Sequence, residues 1–241
     1  MAQRAAIVTG ASSGIGLEIA RMLGEEGYAL TLAARRPEKL TAAADGLRAK
    51  GLEVQEVAAA LSKEEAVKAV VAAHEQRYGR LDLLVNNAGV GIGAPVAEIE
   101  TKRLDMQLDV NVRSLVLFYR ECVGLLRAAA AEHRGALVVN TASISGKRGQ
   151  PWLSVYSATK AAVVGFTEAM NKELATEGIR STALCPAFVD TPMTDFAKAG
   201  GVAAEAMITT RDIAEAVRML LKLSPACLVP EIIFERPGDP L

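Results

Sequence analysis

Short, unbroken apolar runs alternate along this chain with longer segments whose apolar positions recur every three or four residues. Ala5–Thr9, Ala29–Ala34, Leu81–Asn86, Ala136–Thr141, Arg180–Cys185 and Glu231–Glu235 read as strands, with Glu53–Ala58 a further extended segment. Ile15–Glu26 reads as a helix with Ile15, Ile19, Met22 and Leu23 on one stripe. Glu38–Lys50 is helical, and Glu64–Tyr78 turns Val67, Val70 and Val71 inward. Arg103–Ala129 reads as one long helix, Ser154–Thr176 as another and Asp212–Leu223 as the last. Strands that are apolar on both faces need cover on both faces, and the intervening helices supply it. Right-handed crossovers then make this an α/β fold: a single doubly wound, Rossmann-type parallel sheet with helices on both faces. No linker, repeat or low-complexity tract interrupts residues 1–241, so one domain is expected. Only 190–210 breaks the alternation. Connections of that length usually carry function, so this one, with Gly200-Gly201 as its pliant point, is the expected substrate lid.

Composition narrows the class. The chain has 241 residues, 51% hydrophobic and 23% charged, with a formal net charge of -1. A chain this long can hold a core without staples. The three cysteines, Cys122, Cys185 and Cys227, are odd in number and lack paired spacing, which argues against a disulfide framework or a zinc site and for a reducing compartment. Near-neutral charge offers no pull on nucleic acid or an anionic membrane. No apolar run approaches the roughly 20 residues that span a bilayer. The run Ala5-Ala6-Ile7-Val8 is too short and glycine-broken for a signal peptide, so a cytoplasmic protein is expected. His74 and His133 have no ligand-type neighbours in sequence and read as helix-surface or loop residues; no metal is expected.

Chemistry enters at the first strand–helix junction, Thr9-Gly10-Ala11-Ser12-Ser13-Gly14-Ile15-Gly16. Glycines allow a tight turn and close approach of backbone to ligand, and the free N–H groups opening a helix attract a pyrophosphate. The spacing, Gly-x-x-x-Gly-x-Gly, differs from the general dinucleotide fingerprint, but the strand–turn–helix context is the required one. The second strand ends in Arg35-Arg36, where an NAD site usually places a carboxylate for the ribose hydroxyl. An arginine there can fork onto a 2′-phosphate, with Ser12 or Ser13 adding a hydroxyl, so NADP(H) is expected over NAD(H). Tyr156 and Lys160 stand one helical turn apart. A lysine cation so placed favours the phenolate of a group whose free pKa is about 10, making a tuned acid–base pair.

With these motifs in order, the chain resembles the short-chain dehydrogenase/reductase family nearly end to end. Thr9–Gly16 resembles that family's cofactor loop. Asn86-Asn87-Ala88-Gly89 resembles its motif after the fourth strand, and Pro186-Ala187-Phe188-Val189-Asp190-Thr191 its segment meeting the nicotinamide carboxamide. Asn111, Ser143, Tyr156 and Lys160 fall where the family has its catalytic tetrad. The resemblance implies an NAD(P)-dependent alcohol–carbonyl oxidoreductase; with the arginines and the apolar residues flanking the pocket, hydride transfer between NADP(H) and a small or medium, mostly apolar carbonyl or alcohol is expected. Tyr156 would carry the proton, Ser143 would donate to the carbonyl oxygen, Lys160 would tune the phenol and hold the nicotinamide ribose, and Asn111 would anchor a water linking Lys160 to solvent. It also implies cofactor contacts from Gly10, Ser12, Ser13, Gly14, Ile15, Gly16, Arg35, Arg36, Leu61, Asn86, Ala88, Gly89, Tyr156, Lys160, Pro186, Val189 and Thr191.

Two departures from the family pattern are expected to lower cofactor affinity modestly. No aspartate follows the third strand, where Ala58-Ala59-Ala60-Leu61-Ser62 stands, and Ala187 replaces a common glycine. Trp152, Phe188, Met193, Phe196 and Met207 flank the expected nicotinamide pocket and would make it apolar. Lys147 and Arg148 either meet an acidic substrate or are ordinary loop charges. The family's habit of pairing its two long helices across subunits implies a homodimer or homotetramer, with the ending Pro230–Pro237 a second contact. Two alternatives remain: the same chemistry on NAD, or a non-catalytic NADP-binding scaffold or sensor.

Overall fold

A computed structural model describes residues 3–133, 135–195 and 201–237. Among them, β1 (Ala5–Thr9), β2 (Ala29–Ala34), β3 (Val54–Ala58), β4 (Leu83–Asn86), β5 (Ala136–Thr141), β6 (Ile179–Pro186) and β7 (Glu231–Phe234) form one sheet. Its order is β3-β2-β1-β4-β5-β6-β7 and every pairing is parallel. The helices are α1 (Gly14–Glu25), α2 (Pro37–Arg48), α3 (Glu64–Tyr78), α4 (Thr101–Leu108), α5 (Ser114–His133), α6 (Ser154–Leu174) and α7 (Thr210–Lys222). The chain builds outward from β1 to β3, then returns to lay β4 on the other side of β1. A crevice opens at that reversal, between the carboxyl ends of β1 and β4.

Strand alternation explains why the runs look uniformly apolar. Ala6 and Val8 of β1 join one core with Leu23 of α1, Leu40 of α2 and Val217 of α7. Ile7, between them, joins the opposite core with Val70 of α3, Phe118 of α5 and Val163 of α6. Each residue is buried, on one face or the other. Both layers are thereby held to the sheet, which fixes the strand ends carrying the site.

The expected long helix over 103–129 is three pieces. A π-helical turn, Asp109–Arg113, separates α4 from α5. Such a turn inserts one residue and rotates the helix beyond it. Its central residue, Asn111, is swung inward and is 2% exposed. His74 also departs from expectation. It is fully buried, with Nδ1 2.8 Å from Thr31 Oγ1 and Nε2 2.8 Å from the Arg80 carbonyl. Burial pushes its pKa down to about 4, so it is a neutral core residue rather than a surface one. His133 closes α5 with Nε2 3.9 Å from Asp82 Oδ1. Among the described residues no group of side chains is arranged to hold a metal ion, and no helix is long and apolar enough to cross a membrane.

Candidate active site

One cleft of about 760 Å³ runs along the carboxyl ends of β1 to β6. Its first wall is the β1–α1 turn. Gly10 and Gly14 have φ of +65° and +58°, in the left-handed region open to glycine. A Cβ on Gly10 would lie 2.9 Å from Ala88 Cα, and one on Gly16 2.6 Å from the Gly10 carbonyl. The turn can close only with hydrogen there. Asn87 locks it from the β4 side. Its backbone N–H and that of Ala88 donate to Thr9 Oγ1 at 2.9 and 3.0 Å, and its Nδ2 donates to the Thr9 carbonyl at 3.2 Å. Ser12, Ser13, Gly14 and Ile15 face the cleft, and Ser13 precedes α1 without capping it through its side chain. The opening N–H groups of α1 are thus left for a ligand.

The far end of the cleft is cationic. Arg35 and Arg36 line it, and so does Lys39 in the first turn of α2. Leu61, with Ala59, Ala60 and Ser62, forms an apolar floor beside them. Among the described residues no carboxylate lines the cleft.

At the opposite end, α6 brings Tyr156 and Lys160 beneath β5. Lys160 is 4% exposed and its Nζ donates to the Thr141 carbonyl at 2.7 Å. Burial lowers its pKa to about 8. Nζ stands 5.7 Å from the centre of the Tyr156 ring. The phenol departs from expectation: burial raises its pKa, and a hydrogen bond with the Ser143 hydroxyl acts against that rise. Ser143 caps a short 3-10 turn, accepting from Ser145 N–H at 3.1 Å. That turn sits hard against α6, since a Cβ on Gly146 would be 2.6 Å from the Lys160 carbonyl carbon.

Asn111 faces the same cluster from behind. Its Oδ1 accepts from Val90 N–H at 2.8 Å, and its Nδ2 donates to the Val90 carbonyl at 2.9 Å and to Thr159 Oγ1 at 3.0 Å. The side chain is therefore a clamp on the segment after β4. Gln107, one turn earlier, accepts from Ile92 N–H at 3.1 Å. Between those anchors the backbone lies flat on α6. A Cβ on Gly89 would be 3.4 Å from Lys160 Nζ, and one on Gly91 3.5 Å from the Tyr156 ring. Val90 and Ile92 line the cleft, with Met106 and Val110 across from them.

The structure brings most of the expected residues to this cleft and corrects others. Ala88, Gly89, Pro186, Val189 and Thr191 line it. Asn86 does not: it is 5% exposed at the end of β4 and donates to Asn140 Oδ1 at 2.9 Å. Strand alternation gives the cleft to Asn87 instead. Gly16 and Asn111 stand behind the wall, shaping it without lining it. Of the described residues of the expected apolar rim, only Met193 faces the cleft. Met207 is buried, and Phe188 lies under the Arg236 guanidinium, 5.3 Å from its ring centre. Phe196 lies outside the described residues, as does 196–200 of the expected lid. Lys147 and Arg148 do not await a substrate: they pair with Glu231 at 2.9 Å and Glu235 at 3.0 Å. Sequence reading missed Lys39, which stands in the first turn of the helix that follows Arg36.

A phosphate cradle at one end of a cleft and a tyrosine–lysine–serine cluster at the other place the chain among dinucleotide-dependent oxidoreductases. More particularly, it belongs to the short chain dehydrogenase family, which it matches over residues 4–200. A Streptomyces coelicolor protein assigned as a ketoacyl reductase is 43% identical over 189 residues, covering 78% of this chain and 71% of that protein. A variant of actinorhodin polyketide ketoreductase solved with NADPH is similar at a TM-score of 0.85 and 33% identity, covering 97% of each chain. A 3-ketoacyl-(acyl-carrier-protein) reductase from Brucella melitensis, solved with NADH, is similar at a TM-score of 0.88 and 29% identity, covering 96% of each.

Proposed function

We propose that this oxidoreductase interconverts a small or medium, mostly apolar carbonyl compound and its alcohol, using NADP(H), with Tyr156 as general acid or base. The observation that carries the reading is the packing of Tyr156, Ser143 and Lys160 at the end of the cleft remote from Arg35 and Arg36. The cleft fits a dinucleotide: the glycine-closed turn has no room for a Cβ where backbone would meet pyrophosphate, and the α1 N–H groups face it. The nicotinamide, when bound, supplies the hydride. Every other task falls to the chain. Ser143 donates a hydrogen bond to the carbonyl oxygen as charge builds there. Tyr156 gives that oxygen its proton, and takes it back in oxidation. Lys160 holds the ribose hydroxyls and offsets negative charge on the phenol oxygen. Asn111 and Gln107 keep the 89–92 backbone against α6. With its amide so engaged, Asn111 would take part in any water link to Lys160 through its backbone. Among the described residues, Val90, Ile92, Met106 and Met193 line the substrate end, where Lys160 is the charged side chain. The reading is tested with a panel of neutral ketones, aldehydes and their alcohols followed through nicotinamide absorbance; turnover of none of them rejects it.

The preference for NADP(H) rests on three cations and, among the described residues, no carboxylate at the adenosine end. A guanidinium that forks onto a phosphate is a strong, charge-assisted contact. Replacing both Arg35 and Arg36 with serine is expected to weaken NADPH binding by about ten- to a hundredfold while leaving NADH binding nearly unchanged. Dissociation constants for the two cofactors check this, and a wild-type protein that prefers NADH removes the role given to the arginines. NAD use remains the second reading, favoured by the resemblance to the NADH-bound reductase.

A symmetric homodimer or homotetramer belongs to the same proposal. Leu108 and Val116 are exposed on α4 and α5, and Met219, Leu228 and Ile233 around the edge strand β7. Analytical ultracentrifugation is expected to give an even-numbered oligomer; a single monomeric species rejects it.

A further inference from the structure

Trp152 is the one non-glycine residue with a positive φ, +65°, among those described. A bulky side chain is strained there, and glycine would fit without strain. The indole is also 71% exposed, and it belongs to the chain's sole tryptophan. Neither backbone preference nor packing therefore selects tryptophan at this point. Its position gives a different reason. Trp152 lies near the end of the β5–α6 loop, four residues before Tyr156. Its carbonyl accepts from Ala94 N–H at 2.8 Å, and a Cβ on Gly93 would lie 3.3 Å from that same oxygen. The strained backbone is thus pinned to the segment bearing Val90 and Ile92.

Ile92 has two sides. One lines the main cleft, and the other walls a shallow depression with Ala94, Ile99, Val155 and Trp152. The charged rim of that depression is self-satisfied, Arg103 pairing with Glu100 at 3.3 Å. Ile92 is therefore shared by the cleft and this depression, whose wall also carries the indole, with the polar Gln107 and Ser154 beside the apolar residues. We infer that Trp152 forms an outer subsite that covers the distal part of the substrate. The substrate class is then a carbonyl compound, or its alcohol, with an apolar tail extending beyond the cleft. This rests on the carbonyl–alcohol reading above and adds chain length to it.

The test uses the full chain and a homologous series of methyl ketones from butanone to undecanone. With NADP⁺ present, so that no reduction occurs, undecanone is expected to shift the tryptophan emission to the blue, and butanone to leave it in place. In turnover with NADPH, Trp152→Gly relieves the backbone and is expected to fold at least as well as the parent. It should lose about tenfold in kcat/KM for undecanone, from the apolar contact forfeited, and little for butanone. Trp152→Phe should restore most of the loss. Equal effects on both ketones, or an emission unmoved by saturating undecanone, overturn the subsite. Should no ketone turn over, the carbonyl chemistry fails, yet the emission titration still decides on the subsite.

Discussion

Tyr156→Phe is expected to lower turnover about a thousandfold while leaving the dissociation constant for NADP(H) nearly unchanged. The ring would keep its place, since its neighbours are Gly91 on one side and Lys160 Nζ 5.7 Å from its centre on the other. Only the hydroxyl goes, and with it the proton that the developing alkoxide needs. General acid–base groups contribute typically 10²–10⁴-fold, so the middle of that span is the expected loss. Burial holds the phenol above its usual pKa, with the Ser143 hydrogen bond opposing the rise. At neutral pH the hydroxyl is therefore protonated, the state that reduction requires. The reverse reaction needs the phenolate and should gain rate as pH rises. Single-turnover rates in both directions, with cofactor affinity titrated alongside, separate loss of chemistry from loss of binding. A variant that turns over normally removes the tyrosine from the mechanism and revives the non-catalytic alternative.

Much of this arrangement could be read from residue order, for reasons that differ by element. β1 and β2 were legible because every residue in them is buried on one face or the other, and all but Thr9 and Thr31 are apolar. The π turn was not, because one inserted residue shifts helical phase too little to show in a noisy pattern, yet it sets the aim of Asn111. His74 shares a stripe with Val67, Val70 and Val71 at helical spacing, so its position said core while its residue type said surface; position won. Asn86 and Asn87 are adjacent and chemically identical. Only strand alternation separates them, and a one-residue uncertainty at the strand end reverses their roles. The partners of Lys147 and Arg148 lie 84 and 87 residues away, beyond any local signal. The acid–base cluster, in contrast, is carried by one turn of helix and one strand end, which is why its members were recognisable before their geometry was known.

Lys160→Met is expected to stabilise the cofactor-free protein even as it destroys activity. The ammonium is buried, and its pKa is held at about 8 in the folded chain, against about 10.4 in an unfolded one. Proton counting gives the sign. Between those two values the unfolded chain binds more protons, so this residue's contribution to stability rises with pH across the window. Below pH 8 the full penalty of burying the cation is felt, and it comes to about 3 kcal/mol at 1.36 kcal/mol per unit. Methionine fills similar volume without charge but leaves the Thr141 carbonyl without its 2.7 Å donor, a loss of about 1 kcal/mol. The balance is a gain of about 2 kcal/mol at pH 7, or roughly 4–8 °C in Tm for a chain of this length. The gain should shrink by pH 10, where the wild-type lysine has shed its proton in the folded state. Thermal melts of both proteins at the two pH values check it. A variant that melts lower at pH 7, or a gain that ignores pH, would show that the lysine is not a buried cation held under strain for the sake of the reaction. If the gain appears, the same ammonium that costs the fold its stability is the one placed to compensate negative charge on Tyr156, and bound cofactor, by pairing with it, should narrow the difference between the two proteins.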